Sequence, residues 1–175
     1  MLKIYAADLA EKDYTIGAED IMSSARLEKY RALSSDKARN ECAAVAHLLK
    51  KAGITEFYEA SGKPCTRSGF ISISHSGEWA LLAVSHSPVG LDIEQHRAVD
   101  ERAIAARMFT EKEQKSGHAF FDMWVRKESM LKKLGLGIGH CKTDSSEHNF
   151  LQISDFIGYS AAACTEETEY EIIKI

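Results

Sequence analysis

Asp92 and Glu94 stand two residues apart in Val89-Gly90-Leu91-Asp92-Ile93-Glu94. On a strand, residues i and i+2 point to one face, so both carboxylates share a side while Leu91 and Ile93 take the other. Carboxylates that close repel unless water or a cation lies between them. Spaced oxygen donors suit Mg²⁺, which keeps waters of its own and takes phosphate oxygens from a substrate. The same acid-x-acid spacing recurs at Glu11/Asp13, Glu111/Glu113, Glu167/Glu169 and Glu169/Glu171, and a solvated edge is the ordinary explanation for it. Asp92 and Glu94 differ in their setting, an otherwise apolar strand entered directly from Pro88.

A second group follows in Trp124-Val125-Arg126-Lys127-Glu128-Ser129-Met130-Leu131-Lys132. Glu128 and Lys132 are i and i+4 on a predicted helix and share a face, with Trp124 one turn earlier. An exposed Glu–Lys pair is the bland reading, worth a few tenths of a kcal/mol. The sharper one adds a third carboxylate and a lysine to a metal–phosphate site, where positioning and charge do most of the work of phosphoryl transfer. His75 lies in Ser74-His75-Ser76 at a strand end, flanked by hydroxyls and followed by Gly77, a phosphate-friendly turn. Between Ser23 and Arg39, five basic residues (Arg26, Lys29, Arg31, Lys37, Arg39) face two acids, a local charge of +3 that suits an anionic ligand. No GxSxG, HExxH, GxxxxGK[ST] or zinc-spaced Cys/His cluster occurs, and Gly135-Leu136-Gly137-Ile138-Gly139 follows a helix, the wrong context for dinucleotide binding.

The elements that must hold these groups are readable in outline. Leu2 to Ala7 reads as a strand, and Glu19 to Leu33 and Asp36 to Ala52 as helices, the second capped by Asp36 and stopped by Gly53. Ser61 to Pro64 is a turn. Phe70 to Ile73, Trp79 to Ser85 and Val89 to Glu94 read as three adjacent strands in an antiparallel meander. Glu101 to Met108, Thr110 to Lys115 and Phe120 to Leu134 are helical; Asn149 to Ile153, Ile157 to Cys164 and Thr168 to Ile173 are strands. Segregated runs of this kind predict an α+β fold, not a doubly wound parallel sheet.

The whole chain of 175 residues fits one domain or two small halves, and 45% hydrophobic content is enough for a core. A net charge of −4 argues against a nucleic-acid coat. The longest apolar run, Trp79 to Val84, is far too short for a membrane span, and the N-terminus lacks a signal-peptide pattern. Four scattered cysteines without CxxC spacing predict a reduced, cytoplasmic protein.

In order along the chain, Gly62-Lys63-Pro64, Ile73-Ser74-His75-Ser76, Val89 to Glu94, Phe109-Thr110-x-x-Glu113 and Trp124 to Lys132 resemble the signatures of the 4′-phosphopantetheinyl transferases, specifically the pseudo-dimeric class that activates peptide and polyketide synthetases. The resemblance runs from about Arg26 to Gly139. It implies two similar α+β halves related by a pseudo-two-fold, each with about three antiparallel strands on helices, residues 1–95 and 96–175, with a cofactor cleft between them. It implies transfer of the 4′-phosphopantetheine arm of coenzyme A to a serine of an apo carrier protein, with release of adenosine 3′,5′-bisphosphate. Asp92, Glu94 and Glu128 would hold Mg²⁺, and Glu128 would also help deprotonate the carrier serine. Lys132 would contact the pyrophosphate, and His75, with Ser74 nearby, a phosphate of coenzyme A. Lys63 and Pro64 would shape the nucleotide pocket. Arg39 fits a family arginine for the 3′-phosphate, and Arg26 and Lys29 match further basic contacts. A monomer is expected, because both halves lie on one chain. The compact stretch between Glu94 and Trp124 is the expected carrier contact. The rival readings are a non-catalytic module that binds coenzyme A or a carrier, the small trimeric holo-carrier synthases, and a Mg²⁺-dependent phosphohydrolase.

Overall fold

The computed structural model describes residues 1–58 and 62–175; Ser61, in the expected turn before Lys63, lies outside the described residues. The first sheet is built around β1 (Leu2–Asp8), whose apolar run is buried on both faces. β5 (Trp79–Ser85) pairs antiparallel on one side of β1, and β9 (Tyr170–Lys174) pairs parallel on the other. β4 (Phe70–Ser76) completes the order β4-β5-β1-β9. The second sheet is antiparallel, in the order β6-β8-β7, from β6 (Gly90–Gln95), β8 (Tyr159–Cys164) and β7 (Phe150–Ile153). Two-residue strands β2 (Phe57–Tyr58) and β3 (Pro64–Cys65) pair with each other.

α2 (Asp36–Ala52) lays Ala44, Val45, Leu48 and Leu49 on one face of the first sheet, against Tyr5, Ala7 and Leu82. The opposite face of that sheet, through Leu2, Ile4, Leu81 and Ala83, meets Leu91, Ile93, Ile153 and Ala161 of the second. One apolar layer therefore serves both sheets. α5 (Phe120–Leu134) packs on the second sheet, with Met130 and Leu131 beside Cys164. α3 (Glu101–Met108) and α4 (Glu111–Gln114) bridge from β6 to α5, and Met108, Phe109, Phe120 and Phe121 form a small cluster of their own.

The fold is α+β, as its run of elements predicts, with three local differences. The expected helix from Glu19 to Leu33 is a 3₁₀ turn (Glu19–Ile21) followed by α1 (Ser24–Ala32), because the Ser23 hydroxyl accepts from Arg26 N and starts a new helix there. Ser35, not Asp36, caps α2, accepting from Ala38 N; Asp36 becomes the first helical residue, where its charge favours the helix N-terminus. The three adjacent strands do not form a meander. β6 leaves β5 and pairs with β8, because its apolar face belongs to the layer between the sheets rather than to either hairpin. Strand pairing thus crosses residue 95 in both directions: β6 joins β8, while β9 joins β1.

Candidate active site

β4 and β6 belong to different sheets, yet they lie side by side, joined by serines. Ser72, Ser74 and Ser76 alternate along β4, so their hydroxyls share one face. Each accepts from a backbone N–H of β6: Leu91 N to Ser72 Oγ at 2.9 Å, Ile93 N to Ser74 Oγ at 3.3 Å and Gln95 N to Ser76 Oγ at 3.1 Å. Two of the same hydroxyls donate onward to carboxylates. Ser74 Oγ donates to Asp92 Oδ1 (2.8 Å), and Ser76 Oγ to Glu94 Oε2 (3.1 Å). The side chains thus do the work of a sheet ladder and fix the two acids at the same time.

Asp92 is buried. Lys132 Nζ, reaching from α5, donates to its Oδ1 at 2.7 Å and to Ser74 Oγ at 2.9 Å. Its Oδ2 is buried with no hydrogen-bond partner among the described residues. Burial pushes the Asp92 carboxyl up from the ordinary range, against the pull of Lys132 and Ser74. Glu94 Oε2 also accepts from Arg97 at 2.8 Å. Glu128, one turn before Lys132, makes no hydrogen bond among the described residues. Burial raises it too, and the charges of Asp92 and Glu94 add to that while Lys132 opposes. Three carboxylates from β6 and α5 therefore feel one another across one space.

That space is a cavity of about 660 Å³. Asp92, Glu94, Glu128 and Lys132 line it, together with Ser74, His75, Lys29 and Pro64. Trp124, a turn before Glu128, closes the wall and packs its ring edge-on to Phe120 at 5.6 Å. His75 Nδ1 faces Glu41 Oε2 of α2 at 3.4 Å.

Other basic residues are placed differently. Arg26 reaches the cavity wall, but its buried guanidinium is held in a two-pronged pair by Glu56 at 2.5 and 2.6 Å, with the Tyr58 hydroxyl at 2.8 Å. Its charge is spent on locking α1 to the segment after α2. Arg39 lies 3.4 Å from Asp36 and opens on a neighbouring cavity with Glu78 and Gln95, not on that of His75. Lys63 Nζ donates to Lys133 O at 3.0 Å, and with Pro64 it lines a smaller pocket of about 240 Å³ beside Lys132.

The donor set fits Mg²⁺ in kind: hard oxygens, one of them buried and unpartnered. As the side chains stand, no three acidic, histidine or cysteine groups among the described residues are close enough to enclose an ion.

One support of the site went unread in the sequence. Lys127, fully buried, sits at 2.5 Å from Glu113 Oε1 and from Thr143 O. Glu113 also accepts from Ser145 and from Thr110 N in a capping box that starts α4. This pair clamps α5 to α4 immediately beside Glu128. A lysine directly preceding Glu128, with the Thr-x-x-Glu pattern upstream, was its only trace.

The chain is similar to known proteins of one family. A family model described as the 4′-phosphopantetheinyl transferase superfamily matches residues 88–172. A 4′-phosphopantetheinyl transferase of Bacillus subtilis is 30% identical over 165 residues, covering 78% of this chain and 72% of the relative. One from Bacillus pumilus is 37% identical over 94 residues, 47% of this chain and 40% of the relative. A third, from Bacillus subtilis strain 168, is 28% identical over 124 residues, 63% of this chain and 54% of the relative. The matched segments thus span between two fifths and just under three quarters of those relatives.

Proposed function

Because the chain belongs to the 4′-phosphopantetheinyl transferase superfamily, we propose that it transfers the phosphopantetheine arm of coenzyme A to a serine of an apo carrier protein. The observation that carries this reading is the convergence of Asp92, Glu94, Glu128 and Lys132 on one cavity that His75 and Lys29 also line. Carboxylates that can hold a cation and basic groups that can meet phosphate, in one cavity, suit a substrate with a pyrophosphate and a separate phosphate.

In this reading the carrier serine oxygen attacks the phosphorus that bears the pantetheine arm. The bond from that phosphorus to the bridging pyrophosphate oxygen breaks, and adenosine 3′,5′-bisphosphate leaves. Glu128 takes the serine proton, directly or through water; its raised affinity for a proton suits that role. Lys132 moves from Asp92 toward the pyrophosphate and neutralises charge that develops on the leaving oxygen. His75 and Lys29 hold the nucleotide phosphate, while Lys63 and Pro64 border the nucleotide. Mg²⁺, held by Asp92, Glu94 and Glu128, would supply charge neutralisation on the pyrophosphate. Arg39 and Arg26 have the weakest place in this scheme, since Arg39 faces another cavity and Arg26 is already paired. The reading includes a cytoplasmic monomer: every group named comes from one chain, and Cys42, Cys141 and Cys164 are unbridged. No helix among the described residues is long and apolar enough to cross a membrane.

The test is incubation with Mg²⁺, coenzyme A and several apo carrier domains, followed by mass spectrometry of the carriers. The wild type should add the arm, EDTA should stop it, and Asp92→Ala should lower the rate by at least about 10²-fold. If the wild type modifies no carrier, and Asp92→Ala leaves its binding of coenzyme A or a carrier unchanged, the protein is a binding module instead.

A further inference from the structure

Glu41 is out of place. It projects from α2 into the cavity beside His75, where the other charges acting on the imidazole, Lys29, Lys37 and Lys132, are cationic, and a carboxylate there repels a polyphosphate. It is largely buried, with 15% of its side chain exposed, so it is not a stray surface acid. Its contacts are Lys37 at 4.0 Å and His75 Nδ1 at 3.4 Å. Ser74 and Ser76, on either side of His75, face β6, so the imidazole stands on the opposite face of β4, toward α2.

An imidazole has two nitrogens, and the partner of one decides what the other presents. With Nδ1 turned to Glu41, the Nδ1 proton is held there and Nε2 is left for the cavity. We propose that Glu41 is a positioning residue for coenzyme A binding: it orients His75 through Nδ1 and favours its doubly protonated form, so that Nε2–H is presented to a phosphate. This rests on the reading that the cavity takes coenzyme A. The opposing forces are explicit. Partial burial pushes the imidazole toward the neutral form, Glu41 opposes it, and Lys132 of α5, Lys29 of α1 and Lys37 of α2 push with burial, so that His75 stays below the ordinary histidine range but higher than it would be without Glu41. Without Glu41 the ring would be free to rotate and would lose its proton at lower pH.

The sign of one substitution decides the matter. If Glu41 were only a misplaced negative charge, Glu41→Gln would tighten coenzyme A at every pH. If it positions His75, Glu41→Gln weakens binding by about threefold to tenfold at pH 7. The loss should shrink below the variant's His75 pKa, and the acid-to-neutral fall in affinity should move to lower pH. In a His75→Ala background the same substitution should weaken nothing. Calorimetric titration with coenzyme A from pH 5.5 to 8.5 gives these values. ¹⁵N NMR of the wild-type imidazole, which needs no variant, should show a protonated Nδ1 in the free protein at pH 6. Tightening or no change in Glu41→Gln, an equal loss in both backgrounds, or an Nδ1 without a proton overturns the proposal. If coenzyme A binds and His75→Ala weakens it while Glu41→Gln does not, only the role of Glu41 falls. If the wild type binds no coenzyme A, the functional reading falls with it.

Discussion

A hydroxyl can donate once and accept twice, and Ser74 uses all three. It accepts from Ile93 N and Lys132 Nζ and donates to Asp92 Oδ1. Ser74→Ala strands a buried N–H and removes one of the two donors on Asp92, at a cost of about 1–3 kcal/mol. Thermal unfolding should show Ser74→Ala losing more stability than Ser72→Ala, whose hydroxyl, among the described residues, holds only Leu91 N. A second residue-scale test concerns Glu113. Burial raises its pKa, but Lys127, Ser145 and the Thr110 and Ser145 amides outweigh that and hold it below the ordinary glutamate range. A depressed carboxyl contributes stability that is complete above its unfolded pKa and is lost as pH falls through the folded one. Glu113→Gln should therefore cost about 3 kcal/mol at pH 7, and its gap from the wild type should narrow progressively once pH falls below about 4. Denaturant melts at the two pH values measure this. Asp92 and Glu94 were legible in the sequence because period 2 alone puts them on one face. Their serine partners were not, since a serine on a strand reads equally well as solvent-facing, and the N–H groups it serves belong to another sheet.

At the scale of elements, the site is a distance between β6 and α5, and Gly90 sets it. A Cβ at that position would lie 1.8 Å from Ser129 O and 2.4 Å from Lys133 N, so any side chain must push the helix off the strand. Ser129 follows Glu128 and Lys133 follows Lys132, so the displaced turn is the one that bears the site. Gly90→Ala should cost about 3 kcal/mol, which for a chain of this length lowers Tm by roughly 6–12 °C. It should also lower the transfer rate more than it raises the KM for coenzyme A, because the groups displaced act on the reacting bond. Most helices and strands could be placed from apolar periodicity and from stop residues such as Gly53 and Gly135. The meander could not be corrected that way. Adjacent strands pair by default, and what overrules this for β6 is a layer of Leu91, Ile93, Ala161 and Leu81 to which several strands contribute.

Across the whole molecule, charge and topology separate what composition averages. A net −4 conceals a +3 stretch from Ser23 to Arg39 and a −5 stretch from Lys142 to Ile175. The basic stretch supplies Lys29 to the cavity, while Arg26 and Arg31 are balanced by Glu56 and Glu19. The parallel pairing of β1 with β9 has a consequence for the order of synthesis. β1 leaves the ribosome first among the strands of its sheet, and β9 follows only after β4 to β8 have been made. Its partner edge, from Leu2 to Ala6, must stay unpaired on one side through that interval. During translation the nascent chain therefore carries an open apolar strand edge until β9 has been made, a natural place for a chaperone to hold it.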